Sequence, residues 1–178
     1  DAEDAEDAGR PPCFHCGAPA HRTLASSAAA LLLGASQLAR RAFSGNDFER
    51  GILEEWLSTR GGRRSIPAAM TDLLAEPNPD RAPPVQVRLE QPNTAGGRDA
   101  PALPRAGSWA DVNACGSCTD GVFRALVYSL RERIPEEELP PRARGRQPCW
   151  YGRSCRTQGH RPAHAERLNH ICEQTRFR

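Results

Sequence analysis

The stretch Arg146–Cys172, RQPCWYGRSCRTQGHRPAHAERLNHIC, decides how the rest of the chain is read. Within it Cys149, Cys155, His164 and His170 follow the pattern C-x5-C-x8-H-x5-H, four soft or borderline donors of the kind that close a tetrahedral structural zinc site. A DNA-reading finger keeps about twelve residues between its second cysteine and first histidine. This tighter unit cannot hold the same recognition helix, so its ligand must be read another way. His160 lies near enough to replace one of the two histidines, which leaves a rival ligand set open. Arginines and the Trp150-Tyr151 pair fill the intervals between the donors.

A short basic linker, residues 140–148, leads into this unit. Ahead of it Asp120–Arg133 reads as a helix, with Val122, Phe123, Leu126, Val127 and Leu130 on one apolar face and Pro135 just past its end. Asn46–Arg60 is a second: Asn46 and Glu49 are spaced as a capping box, Phe48, Ile52, Leu53, Trp56 and Leu57 form a stripe, and Gly61 can end it. A third is expected from Ser65, with Pro67 in its first turn, Met70, Leu73 and Leu74 inward and Pro77 as its stop. Leu24–Phe43 is also read as helix, from its Ala, Leu and Ser content. Residues 76–108, rich in Pro, Gly, Asn and Arg, are expected to be a disordered loop, with Val85, Val87 and Leu89 as one short strand.

Seven cysteines, an odd number, include two C-x2-C pairs, Cys13/Cys16 and Cys115/Cys118, separated by 98 residues. Reduced thiols gathered round metal fit this pattern better than a secreted disulfide framework, which places the chain inside the cell. Cys13, Cys16, His21, Cys115 and Cys118 are five candidates for one upstream site, and spacing does not choose among them. With the downstream set this gives an expectation of two Zn2+ ions.

The totals bound the core. Among 178 residues there are 16 Pro, 15 Gly and only five Phe, which suits a small packed region plus unpacked segments. The net charge of +2 hides a polarity: residues 1–10 carry five acids against one Arg, residues 141–178 nine Arg against two acids. The tail is the anion-facing end. All 24 basic residues are Arg, so no lysine is offered for ubiquitin attachment. The chain starts with Asp, lacks the succession of a signal peptide, and reads as a piece of a longer protein. Its longest apolar run, Ala28–Leu33, is far too short to span a membrane. The expected fold class is mainly α with irregular zinc-stabilised segments: an acidic disordered leader over 1–12, a cysteine-rich helical domain over 13–140, and a C-terminal CCHH zinc knuckle with its tail over 141–178.

RQPCWYGRSCRTQ followed by HAERLNHICEQTRF resembles the poly(ADP-ribose)-binding zinc finger and tail of the CHFR family of E3 ubiquitin ligases, checkpoint proteins with forkhead-associated and RING domains. Arg146, Cys149, Tyr151, Gly152, Cys155, His164 and His170 fall on the family motif. Eight residues rather than seven separate Cys155 from His164, and Leu168 stands where an aromatic is usual. The matched tail, anchored on His170, favours His164 and His170 over His160. NDFERGILEEWLSTRG, the C-x2-C before the last long helix, and FRALVYSLRERIPEEELP also resemble successive pieces of that family's cysteine-rich region. There His21 takes the third ligand's place of a C-x2-C-x4-C.

No RING ligand spacing, phosphate loop or nucleophile-base pair is found in this sequence, so a RING-type ubiquitin transferase activity would lie elsewhere in a full-length relative. The resemblance implies a nuclear reader of poly(ADP-ribose) or of poly(ADP-ribosyl)ated proteins in the mitotic checkpoint. A ubiquitin-conjugating enzyme would be engaged through a RING absent from this sequence. Arginine suits the polymer's pyrophosphates and an aromatic face suits its adenines. Arg146, Arg153 and Arg156 are candidates for the first task and Trp150 and Tyr151 for the second, with Gln158 able to bond an adenine edge. Two other readings use the same residues: a protein-interaction scaffold with purely structural zinc, and a general single-stranded nucleic-acid binder.

Overall fold

The computed structural model describes residues 10–30, 35–59, 65–75 and 109–176. It is mainly helical with irregular connections. Among the described residues the α-helices are α1 (Leu24–Ala30), α2 (Ala35–Ala42), α3 (Asp47–Thr59), α4 (Ile66–Ala75), α5 (Gly116–Glu132) and α6 (Pro162–Arg167). Two minimal ladders join distant segments: β1 (Arg22–Thr23) pairs antiparallel with β2 (Asn113–Ala114), and β3 (Gln147–Pro148) pairs parallel with β4 (Leu168–Asn169).

The longest helix, α5, is the centre of the packing. Its Val122, Phe123, Leu126 and Val127 are buried in one core with Leu38 and Ala39 of α2, Ile52, Leu53 and Leu57 of α3, and Met70, Leu73 and Leu74 of α4. Helices α2, α3 and α4 each contact α5, while α1 packs on α4. The apolar spacing that marked three of these helices is the one they bury. Their ends differ from expectation. Helix α5 begins at Gly116, because Cys115 takes the cap position with extended backbone and no side-chain cap bond. The expected helix over Leu24–Phe43 is two helices, α1 and α2, with 31–34 outside the described residues. Also outside them are the expected leader over 1–9, the stops at Gly61 and Pro77, and the loop 76–108 with its strand.

Half of the capping box forms. Asn46 Oδ1 accepts from the Phe48 and Glu49 amides at 3.1 and 3.2 Å, satisfying two orphan donors of α3. Glu49 does not reach back. Its carboxylate is fully buried, accepting from Arg131 Nε at 2.9 Å and Arg146 Nη2 at 2.6 Å. Burial pulls the Arg131 guanidinium below its ordinary value, and Glu49 opposes this. One carboxylate thus ties together α3, α5 and the segment that opens the C-terminal unit.

That unit is therefore docked on the helices, a point the sequence left open. The Asn46 amide donates to Gln158 Oε1 at 3.1 Å, and Tyr128 on α5 donates to the His170 carbonyl at 3.3 Å. Gly159 meets the turn before α3 so closely that a Cβ there would collide with the Ser44 carbonyl. Glycine is required by that approach.

Candidate metal centres

The upstream group starts in a tight loop. Cys13 N–H donates to the Ala18 carbonyl at 2.7 Å and Gly17 N–H to the Cys13 carbonyl at 3.0 Å, with Gly17 in the left-handed region at φ 72°. This turn carries Cys13 and Cys16 towards one point, and Phe14 N–H fastens it to the Asn113 carbonyl at 3.0 Å. The other half comes from the end of β2 and the first turn of α5, which present Cys115 and Cys118. The four sulfurs lie within 4.8 Å of one another, with Cys16 and Cys115 at 3.6 Å. Trp109 packs edge-on against Phe14, closing the site's flank.

Four thiols this close cannot all ionise unaided. Burial alone would raise Cys13, but backbone amides of Cys115, Cys16 and His15 bring it down to about 7. Burial and the neighbouring thiols push Cys118 far up. A soft divalent cation is what such a donor set accommodates, and four cysteines suit tetrahedral zinc. His21, the fifth candidate, lies outside the group; it is exposed, its Nε2 3.2 Å from an Arg10 guanidinium nitrogen. His21 immediately precedes β1, which runs beside β2, and its ring meets Arg10 rather than the four thiols.

The downstream group is built locally. Cys149 follows β3, its N–H donating to the Asn169 carbonyl at 2.8 Å, and a 3-10 turn over Gly152–Ser154 brings Cys155 round. Gly152 (φ 46°) lies under the Cys172 carbonyl, where a Cβ would collide. Helix α6, opened by Pro162, supplies His164, and β4 delivers His170. Donor atoms of all four converge within 4.8 Å, with His164 Nε2 at 3.3 Å from Cys155 Sγ. His160 is exposed and outside the set, so the rival ligand choice falls away.

His170 gives this donor set its test of fit. The ring is 1% exposed, Nδ1 lies 3.4 Å from the Asn46 amide nitrogen, and Nε2 is buried with no hydrogen-bond partner. A buried ring nitrogen without a partner is costly unless it binds something. Burial first, then the neighbouring His164, lowers His170 to about 4, and burial also lowers His164. Both imidazoles are thus neutral, the form in which histidine ligates metal. The two groups could each hold a metal ion, consistent with two zinc sites.

The six residues expected to touch ligand divide sharply. Arg146 is buried, paired with Glu49, and donates further to the Ala165 and Leu168 carbonyls. Gln158 is buried between Asn46 and the Arg153 carbonyl. Both hold the unit on the helices and are turned away from solvent. Trp150 remains 59% exposed, Tyr151 is half-buried, and Arg153 and Arg156 are exposed. The Arg153 guanidinium lies 4.5 Å from the Tyr128 ring centroid. Sequence reading missed Glu49 and Asn46 as supports, since both looked like helix-capping residues. It also missed Arg176, 4.3 Å over the Trp150 ring, for which the arginine-rich tail was the available signal.

No family model matches the chain. Curated relatives do. The chain is 36% identical over 136 residues, 76% of its length, to E3 ubiquitin-protein ligase CHFR of Danio rerio, covering 18% of that protein. It is 47% identical over 68 residues, 38% of its length and 10% of the relative, to the Homo sapiens ligase of the same name. Over 64 residues, 36% of its length, it is 48% identical to that of Mus musculus, covering 10% of it. The chain therefore spans less than a fifth of the length of these relatives. No described helix is long and apolar enough to cross a membrane.

Proposed function

From the chain's kinship with the C-terminal region of CHFR ubiquitin ligases, we propose that it is a zinc-held reader of poly(ADP-ribose) whose C-terminal CCHH unit is the reading knuckle. One observation carries this reading. Trp150 and Arg156 are exposed beside two of the metal-type ligands, with half-buried Tyr151 between them and the exposed Arg153 seated on the Tyr128 ring at the edge of the docked face. The polymer repeats a pyrophosphate and an adenine. Guanidinium groups can hold the first through charge-assisted, bidentate hydrogen bonds, and aromatic faces can stack on the second. Zinc would supply folding energy at both sites and take no part in chemistry.

Each support has a matching role in this chain. Arg146 and Gln158, buried under the knuckle, act at one remove by fixing its orientation on α3. Exposed Arg156 can meet phosphate and Arg153 can do so from its seat over Tyr128, while Trp150 and Tyr151 present ring surface. In a longer ligase of this kind the reader would bring a RING and its ubiquitin-conjugating enzyme to poly(ADP-ribosyl)ated proteins in the nucleus, as part of mitotic checkpoint control. The deciding experiment is competition of ADP-ribose polymer against RNA of equal charge for the zinc-loaded protein. Polymer preference, lost about ten- to a hundredfold in Tyr151→Ala with zinc retained, is expected. Equal binding makes the chain a general single-strand binder. Binding of neither makes it an interaction scaffold with structural zinc.

A further inference from the structure

The segment after His170 does not leave the knuckle. Cys172 packs its thiol against the Cys149 and Asn169 carbonyls, and the backbone of 172–174 lies over Gly152. The amides of Thr175 and Arg176 then both donate to the Trp150 carbonyl, at 2.9 and 3.0 Å. Gln174 closes the turn by donating to the Arg176 carbonyl at 2.8 Å. The strap is thus fixed by backbone bonds on the residue whose ring it covers.

Its outcome is a stacked pair. The Arg176 guanidinium lies 4.3 Å from the Trp150 ring centroid, well inside cation–π range. Trp150 is the one large hydrophobic exposed among the described residues, at 59%, so the pair leaves much of the indole in water. An exposed tryptophan normally rotates about two side-chain bonds. Here backbone holds one end and a guanidinium holds the ring, while 59% of the residue stays exposed.

We infer that Arg176 is a positioning and specificity residue of the polymer-reading surface, holding the Trp150 ring for a base to stack on its exposed part and adding a cation beside that base. This inference rests on the reading of the knuckle as a poly(ADP-ribose) binder. It extends the ligand surface beyond the cysteine-histidine unit into the strap. The arrangement orders a base, an indole and a guanidinium in one stack, with the charge close enough to meet a neighbouring pyrophosphate. A polymer that alternates bases with pyrophosphates gains from both, whereas an inorganic polyanion gains only from the charge.

The test uses the zinc-loaded chain, ADP-ribose polymer of defined length, and inorganic polyphosphate as the base-free control. Arg176→Ala is expected to weaken polymer binding about two- to fivefold, as for an exposed cation–π pair, without loss of zinc and with a shifted Trp150 indole resonance. Arg176→Lys should restore polyphosphate binding fully but polymer binding only in part. In a Trp150→Ala background the Arg176→Ala loss on polymer should shrink to the loss seen on polyphosphate, a non-additivity that a general structural effect would not produce. If wild-type protein binds polymer and Arg176→Ala binds it equally or more tightly, the inference is overturned and the reader stands. If wild-type protein binds no polymer, the reader itself fails and the inference goes with it.

Discussion

The two metal-type groups solve one problem by opposite routes. The four-cysteine group joins residues separated by 98 positions, and the cysteine-histidine group is complete between Cys149 and His170. The first is a clamp: its halves are a loop and a helix start that belong to different parts of the chain. The second is a self-contained turn that gains its orientation from outside, through Glu49, Asn46 and Tyr128. Long-range closure orders a domain, whereas local closure makes a rigid unit that must still be placed.

The largest effect should come from removing a ligand at each site. Structural zinc contributes on the order of 10 kcal/mol in small domains, more than a core this small can replace. Cys115→Ala should release β1 from β2 and unfold the helical region, while Cys155→Ala should unfold the C-terminal unit and leave α5 packed. Native mass spectrometry with hydrogen exchange would read both, two zinc ions falling to one in each variant. An intact helical region in Cys115→Ala would dissolve the distinction between clamp and turn.

Next in size is the junction. Glu49→Ala leaves two buried guanidinium groups without their carboxylate, at a cost of about 3–5 kcal/mol. Urea unfolding should show the loss, and the C-terminal unit should gain exchange even though its four donors are untouched. Replacing Glu49, Arg131 and Arg146 together by apolar residues of similar volume should recover most of it.

Acid should separate the regions by a smaller margin. His170 is held at about 4 against an ordinary 6.5, so between those values the unfolded chain takes up a proton that the folded one refuses. Stability from this source is complete above 6.5 and falls as pH drops towards 4, with protonation of the imidazole also displacing any zinc it holds. The four-cysteine group contains no imidazole, so acid acts there only by protonating the thiolates that would hold metal. Fluorescence of Trp150 should therefore change at higher pH than that of Trp109, and a reversed order would contradict the assignment.

What the sequence revealed follows the same divide. The donors of the C-terminal unit were legible because their spacing is local, and convergence within 4.8 Å removed only His160. The upstream set was legible as candidates but not as a choice, because which of five donors meet depends on how β1 and β2 pair across the fold. Helix faces were readable from periodicity. The roles of Arg146, Gln158 and Glu49 were not, since an arginine near a finger and a glutamate at a helix start look the same in sequence whether they face water or each other.

The clamp has a further consequence for how the chain is wired. Doubling the length of a closed flexible loop costs only about 0.6 kcal/mol, so what fixes the interval between Cys16 and Cys115 is the packing of α1 to α4 within it rather than its length. Severed between 76 and 108, the polypeptide would become two complementary fragments, one bearing Cys13, Cys16 and Glu49, the other Cys115, Cys118, Arg131 and Arg146. Their reunion would rebuild the four-cysteine group along with the shared core, so a cation bound at the seam would tighten it by mass action and make reassembly of the split protein metal-sensitive.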